Sequence, residues 1–238
     1  YNDYGIHKDS LKDLILFRSS NDRKYTTLKE YTERMKDGQD TVYYACGDTD
    51  EKIDMLPQAD AVREKGYEFL YLTENVDEFA IKMLGEYDGK KFMNICDDKF
   101  DLSDESEKKE LESENEAAKD MFAAMKESIG DKINAVRFTN KLKKHPVCLT
   151  SEGGISLEME KVLNSMPNAE QNKVKAQLIL EINASHPIAE KLKTLYSEDK
   201  DTLAKYAKLL YGEACLIGGT GIDDPVEHSN LVCELMTK

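Results

Sequence analysis

Thr41-Val42-Tyr43-Tyr44-Ala45-Cys46, closed by Gly47 and Asp48, is the stretch on which the fold turns. β-Branched and aromatic residues dominate it, the apolar run is short, and a glycine punctuates its end, so it reads as a strand. Outward from it, residues 58–65 follow Pro57 and read as a helix, 67–72 as a strand, 76–84 as a helix and 91–95 as a strand. Strands alternating with helices of this length favour a parallel sheet with right-handed crossovers, because parallel neighbours need a long return connection. The expectation is an α/β domain, a small three-layer αβα sandwich. Upstream, residues 7–19 suggest a helix with Leu11, Leu14, Ile15 and Phe17 on its apolar side. Thr27 with Glu30 then forms a capping-box signature that opens a second helix, with Leu28, Tyr31 and Met35 as its stripe up to Gly38.

The 238 residues suit about two domains, and 40% apolar content with a mean hydropathy of −0.62 describes a chain with ample core. A formal charge of −14 and a pI near 4.8 oppose binding to nucleic acid or anionic lipid, since acidic groups add repulsion that counterion release cannot offset. No apolar run reaches the eighteen or so residues of a membrane span. The chain begins at Tyr1 without a basic or apolar leader, which suggests a fragment rather than a secreted precursor. Cys46, Cys96, Cys148, Cys215 and Cys233 are odd in number, widely spaced and mostly embedded in apolar runs, so they read as reduced core residues of a cytoplasmic protein. His7, His145, His186 and His228 lie far apart and no CxxC pair occurs, so no structural metal is expected.

Between Asp97 and Glu116 ten acidic residues stand against three lysines, which marks residues 101–116 as an acidic linker or the start of a connecting helix. The first domain is accordingly 1–100 and the second 117–238. The second reads as α+β and helix-rich, with helices over 121–129, 155–166 and 188–196, strands over 133–138, 147–149 and 177–182, and a terminal helix pair.

Candidate chemistry is sparse. No GxGxxG or GxxxxGK[ST] follows a strand, so phosphate-cradling loops are absent. Asp97, Asp98 and Asp101 spell DDxxD, an arrangement that elsewhere holds magnesium, but here it sits in a solvated charge run. Ser185-His186 and Cys148 near His145 are the nearest approaches to a nucleophile and base. His186 precedes Pro187 at a helix start, where a turn role is commoner. Gly218-Gly219-Thr220-Gly221 follows a helix and lies beside Asp223-Asp224, which favours a turn over an anion site. An α/β enzyme using Asp48 or Glu74 near the strand ends remains an alternative.

Two apolar helices carry more information. Ile155, Met159, Val162, Leu163 and Met166 line one face between a glycine pair and Pro167, and methionine-rich faces suit adaptable binding. The competing reading packs that face on the three-stranded sheet. Over 203–238, Leu203, Tyr206, Ala207, Leu210, Ala214 and Ile217 make one stripe, with Leu209 and Leu216 on a neighbouring face. Asp224-Pro225 with Glu227 opens a second helix bearing Leu231, Val232, Leu235 and Met236. This surplus suggests a two-fold four-helix bundle between copies, against the alternative of a hairpin folded onto its own domain.

Several runs resemble the heat-shock-protein-90 chaperone family. Gly5-Ile6-His7-Lys8-Asp9, Thr27-Leu28-Lys29-Glu30-Tyr31, Val42-Tyr43-Tyr44-Ala45-Cys46-Gly47, Phe69-Leu70-Tyr71-Leu72-Thr73 and Val76-Asp77-Glu78-Phe79 look like its middle domain. Leu209-Leu210-Tyr211, Ala214 and Asp224-Pro225 resemble its C-terminal dimerisation domain. The short acidic linker and the lack of a C-terminal co-chaperone peptide are most similar to the bacterial form. The resemblance implies that 1–100 is the C-terminal part of the middle domain and 117–238 the dimerisation domain of an ATP-dependent chaperone. It implies that the fragment is a homodimer and not itself an enzyme, with ATP and magnesium bound by an N-terminal domain absent here. Partly folded client proteins are the implied partners, contacted at Phe79, Ile155, Met159, Val162, Leu163 and Met166. The implied dimer interface is Leu209, Leu210, Ala214, Ile217, Leu231, Leu235 and Met236. His228 and Cys215 depart from the family pattern, where an aromatic and an aliphatic residue are common. A purely structural dimerisation module is the remaining alternative.

Overall fold

The computed structural model describes residues 5–166 and 173–237. Its helices in chain order are α1 (Lys8–Leu11), α2 (Leu28–Arg34), α3 (Asp50–Asp54), α4 (Pro57–Glu64), α5 (Asp77–Leu84), α6 (Glu105–Ala117), α7 (Lys119–Ile129), α8 (Leu157–Ser165), α9 (Pro187–Glu198), α10 (Lys200–Ile217) and α11 (Pro225–Met236). Its strands are β1 (Leu16–Ser19), β2 (Tyr25–Thr27), β3 (Thr41–Cys46), β4 (Phe69–Leu72), β5 (Glu86–Tyr87), β6 (Lys90–Asn94), β7 (Ala135–Thr139), β8 (Val147–Glu152) and β9 (Gln177–Asn183). The protein is mixed α/β. Two compact units emerge, Tyr1–Phe100 with Gly154–Ala176, and Asp101–Gly153 with Gln177–Lys238. Residues 154–176, which the sequence reading keeps within 117–238, thus group with the first unit.

In the first unit the sheet runs β2-β1-β4-β3-β6-β5. The central β4, β3 and β6 are parallel, as the alternation of strands and helices requires. Antiparallel pairs extend both edges. The β5–β6 hairpin turns through Asp88 and Gly89, both at positive φ, which suits the twist of a two-residue connection. The helix expected over 7–19 is corrected: α1 and a 3-10 turn occupy Lys8–Leu14, and the chain then becomes β1. Leu11 and Leu14 are exposed, whereas Phe17 and Ser19 are buried with the two-residue period of a strand.

Both faces of the central strands are covered, which is why β3 and β4 lack the polar alternation of a half-exposed sheet. Val42, Tyr44, Leu70 and Leu72 pack with Leu28 and Tyr31 of α2 and Ile81 and Leu84 of α5. On the other side Arg63 of α4 lies 5.4 Å from the Phe69 ring centroid, and the Tyr71 hydroxyl donates to Asp54 at 2.6 Å. Helix α2 begins with the expected capping box: Thr27 Oγ1 accepts from Glu30 N at 3.1 Å, and Glu30 Oε2 accepts from Thr27 N at 2.8 Å. That box fixes where Tyr31 points. Its buried hydroxyl donates to the Glu68 carbonyl at 2.6 Å and accepts from Tyr43 N at 3.1 Å, and burial pushes the phenol well above its usual range.

In the second unit the sheet order is β7-β9-β8, with β9 parallel to β7 and antiparallel to β8. The acidic run is a helix: Asp104 caps α6 by accepting from Ser106 N and Glu107 N, and Glu107 reciprocates. None of α6 is fully buried, but Asn115 accepts from Phe138 N at 2.8 Å and donates to Phe138 O at 3.2 Å, satisfying the outer edge of β7. Met121, Phe122, Met125 and Ile129 form the buried side of α7, and Phe122 meets Phe138 edge-on at 4.9 Å. On β9, Glu181 is wholly buried between Arg137 and Lys141, with Lys141 Nζ at 3.0 Å.

Candidate functional site

In the first unit the C-terminal ends of β3 and β4 open a cleft. Gly47 and Asp48 leave β3, Thr73 and Glu74 leave β4, and Phe79 of α5 stands at one side. Met159 and Val162 of α8 close it from the other side. Five of the six residues assigned to client contact, Phe79, Ile155, Met159, Val162 and Leu163, are half-buried, and Met166 is exposed. Phe79, Met159 and Val162, read separately from distant parts of the sequence, therefore line one cavity. Pro167 lies outside the described residues.

Glu78, which sequence reasoning passed over, sits at the base of this cleft and is buried. Oε1 accepts from Asn94 Nδ2 at 3.1 Å and from the Tyr44 hydroxyl at 3.3 Å, and Lys82 Nζ lies 3.7 Å away. Oε2 accepts from Ser156 Oγ. A buried carboxylate needs such a set of donors. Burial first, and then the charge of Glu78, push the Tyr44 phenol and the Cys46 thiol well above their usual ranges. The Glu78-to-Lys82 spacing, one helical turn on α5, was the signal available in the sequence.

Other candidate chemistry resolves into local structure. Asp48 pairs with Lys52, whose hydrogen bond holds its carboxyl below the usual range, with Lys161 adding to that effect. Asp97 Oδ1 accepts from Lys99 N at 2.9 Å and Asp101 Oδ1 from Ser103 N at 2.8 Å, the pattern of Asx turns. Among the described residues no cluster of three or more His, Cys, Asp or Glu could hold a metal ion. His186 Nδ1 accepts from Ile188 N at 3.2 Å and so caps α9. Cys148 Sγ lies 3.8 Å from Glu181 Oε2, while His145 offers its carbonyl to Asn183. The core expected for all five cysteines holds only Cys148 and Cys215; Cys46 and Cys96 are half-buried, and Cys233 is exposed on α11. Gly219 and Gly221 adopt positive φ beyond α10, and Thr220 N donates back to the Cys215 carbonyl at 3.0 Å, so the glycine run ends a helix.

The terminal helix pair divides the residues assigned to the dimer interface. Leu203, Ala207, Leu210, Ala214 and Cys215 are buried as α10 packs on α7, α9 and β8, so Leu210 and Ala214 belong to the unit's own core. Leu209, Ile217, Leu231 and Leu235 are half-buried and Met236 is 80% exposed. No residue of α11 is fully buried. Gly212 permits its close approach, since a Cβ there would lie 2.7 Å from His228 Cε1. His228 Nε2 is 3.2 Å from Glu213 Oε1, and Lys208 pairs with Glu227 at 3.1 Å. The polar ring of His228 thus finds a carboxylate on the facing helix.

A family model described as Hsp90 protein matches residues 2–238. The chain belongs to the Hsp90 family. It is 48% identical to the chaperone protein HtpG of Bacillus velezensis over 99% of its own length. It is 49% identical to the HtpG proteins of Clostridium acetobutylicum and Natranaerobius thermophilus, over 99% and 100% of its length. In each case it spans 37% of the relative's length. Among the described residues no helix is long and apolar enough to cross a membrane.

Proposed function

We propose that the chain is the dimerising, client-binding portion of an ATP-dependent molecular chaperone acting in the cytoplasm. Residues 1–100 are read as the C-terminal part of the middle domain and 117–238 as the dimerisation domain. The observation that carries the reading is α11: a helix with no fully buried residue keeps Val226 and Met236 exposed and Leu231, Val232 and Leu235 half-covered. Exposed large apolar groups in one place mark an association surface, and a second copy supplies a matching one under two-fold symmetry. The cleft around Phe79 offers a small apolar surface suited to weak, reversible contact with partly folded clients.

ATP and magnesium do not fit the described residues. The cleft is rimmed by Asp48, Glu74 and Glu158, which repel a triphosphate, and the chain lacks a phosphate-cradling glycine loop. The reading therefore assigns nucleotide chemistry to other parts of the whole protein. Light scattering tests dimerisation: the expected mass is twice the 27.1 kDa of the chain, and a monomer at micromolar concentration refutes it. Titration with an unfolded protein, followed by NMR, should shift signals of Phe79 and α8; shifts confined to other regions would reject the cleft as client site. ATP turnover by this chain alone would overturn the non-enzymatic assignment.

A further inference from the structure

Helix α8 is fastened to the first unit by a polar device that the client-binding reading does not use. Ser156 is its N-cap, accepting from Met159 N at 3.1 Å, and the same hydroxyl donates its proton to the buried Oε2 of Glu78. One oxygen therefore both orders the first turn of α8 and docks it. Lys82, one turn along α5 from Glu78, donates to the Gly154 carbonyl just ahead of the cap. Across the cleft, Lys161 of α8 acts on Asp48 and Glu158 acts on Lys52, so the charges facing each other are complementary.

No residue of α8 is fully buried, and Leu157, Met159, Val162 and Leu163 are half-buried, so its apolar face is only partly removed from water. The helix also carries its own return segment. Asn164 donates to the Val174 carbonyl at 2.8 Å and accepts from Val174 N at 3.0 Å, and Glu160 accepts from Ala176 N at 2.7 Å. Gly153 and Gly154, at φ 81° and 87°, lead into this segment, and a Cβ at either would meet nothing within 4 Å.

We propose that Ser156 and Glu78 form a latch, and that α8 is a strap which occupies the Phe79 cleft until the latch opens. The proposal rests on the client-binding reading of that cleft and deepens it: the chain's own Met159 and Val162 compete with an incoming apolar segment for the same site. Opening removes the Ser156 donor from Glu78 Oε2, while Oε1 keeps Asn94, Tyr44 and Lys82 and Ser156 still caps α8. Water entering the vacated cleft can donate to Oε2, which makes the switch reversible. Release exposes Phe79 and the methionine face of α8 together, so the two client surfaces become available in one step.

Ser156→Asp in the full 238-residue chain tests the latch, because Asp preserves the N-cap while setting a second carboxylate against Glu78. Hydrogen exchange of the α8 amides should accelerate about tenfold or more, with β3 and β4 unchanged. Affinity for reduced, carboxymethylated α-lactalbumin should rise about threefold to tenfold as the cleft is vacated. Lys82→Met, which leaves the cap and Glu78 intact, should shift both measurements less and in the same direction. Unchanged α8 exchange in Ser156→Asp, with unchanged sheet protection showing that the variant is folded, overturns the latch. Should α8 exchange rise in both variants while α-lactalbumin binding stays constant, the latch stands and the client-binding reading of the cleft falls.

Discussion

Helices α8 and α11 each bury no residue completely, yet the first is fastened to its unit through Ser156 and a buried glutamate, and the second to α10 through ion pairs in contact with solvent. The two kinds of fastening differ in strength and in reach. A hydrogen bond from a hydroxyl to a buried carboxylate contributes about 1.5–3 kcal/mol, whereas an exposed ion pair contributes roughly 0–1 kcal/mol. Lys205–Glu234 and Lys208–Glu227 therefore align α11 without anchoring it. What remains to hold it is apolar cover, and its own unit leaves Val226 and Met236 uncovered. A helix secured by a buried polar bond can be released by opening that bond. One that depends on apolar cover stays down only while the cover is present.

The largest expected effect separates these two cases directly. Leu231→Glu with Leu235→Glu should convert dimers to monomers, raising the dimer Kd by about a thousandfold or more, since each aliphatic group buried contributes roughly 1.5–3 kcal/mol in each copy. Light scattering reads this, and α8 should be unaffected; a persisting dimer would show that α11 is not the interface. Leu210→Glu is not an equivalent test, because Leu210 is 5% exposed in the core of its unit and a charge there would unfold it.

Gly212→Val comes next. Its side chain would meet the His228 ring and should cost about 1–3 kcal/mol, weakening the dimer while α8 exchange stays at its original rate. Equal loosening of both helices would mean that they are not independently held. Phe79→Ser and Met159→Ser should each lower protection of an aggregating client about threefold to tenfold, the scale of one apolar contact, with dimer mass unchanged. Full protection by both variants would remove the cleft from the client surface. The smallest effect is expected from Asp224→Ala, which removes the acceptor for Val226 N and Glu227 N at 3.0 and 2.8 Å. It should cost about 1 kcal/mol, visible as faster exchange confined to α11.

Much of the first unit was legible residue by residue. Strand β3 spans the quoted stretch, the Thr27–Glu30 box opens α2, and α4 starts at Pro57, because each depends on neighbours within one turn or one strand. Failures came where distant partners override local pattern. The apolar spacing of Leu11, Leu14, Ile15 and Phe17 suggests a helix, but pairing with Thr27 and Tyr71 makes residues 16–19 a strand. For the acidic run the sequence left linker and connecting helix open, and the capping box of Asp104 and Glu107 marks where the helix begins. Helix α3 was missed because it is only a short run, Asp50–Asp54, with one apolar residue, Ile53.

The candidate site was legible in its apolar members and silent in its polar ones. Met159 and Val162 stand out by the periodicity of an apolar face and Phe79 by resemblance, whereas Glu78 and Ser156 look like any acidic residue and any serine until their side chains are seen to meet. By itself, the sequence determined the alternation of strands and helices, the caps, the acidic character and the excess of apolar residues over 203–238. All follow from backbone propensity, short-range hydrogen bonding and composition. Only the tertiary structure decided that α8 groups with the first unit, that Leu210 and Ala214 are core, and that Glu78 finds its serine 78 positions away. Periodicity shows that a face is apolar but not which surface will cover it; that depends on donors and acceptors brought together by the whole chain.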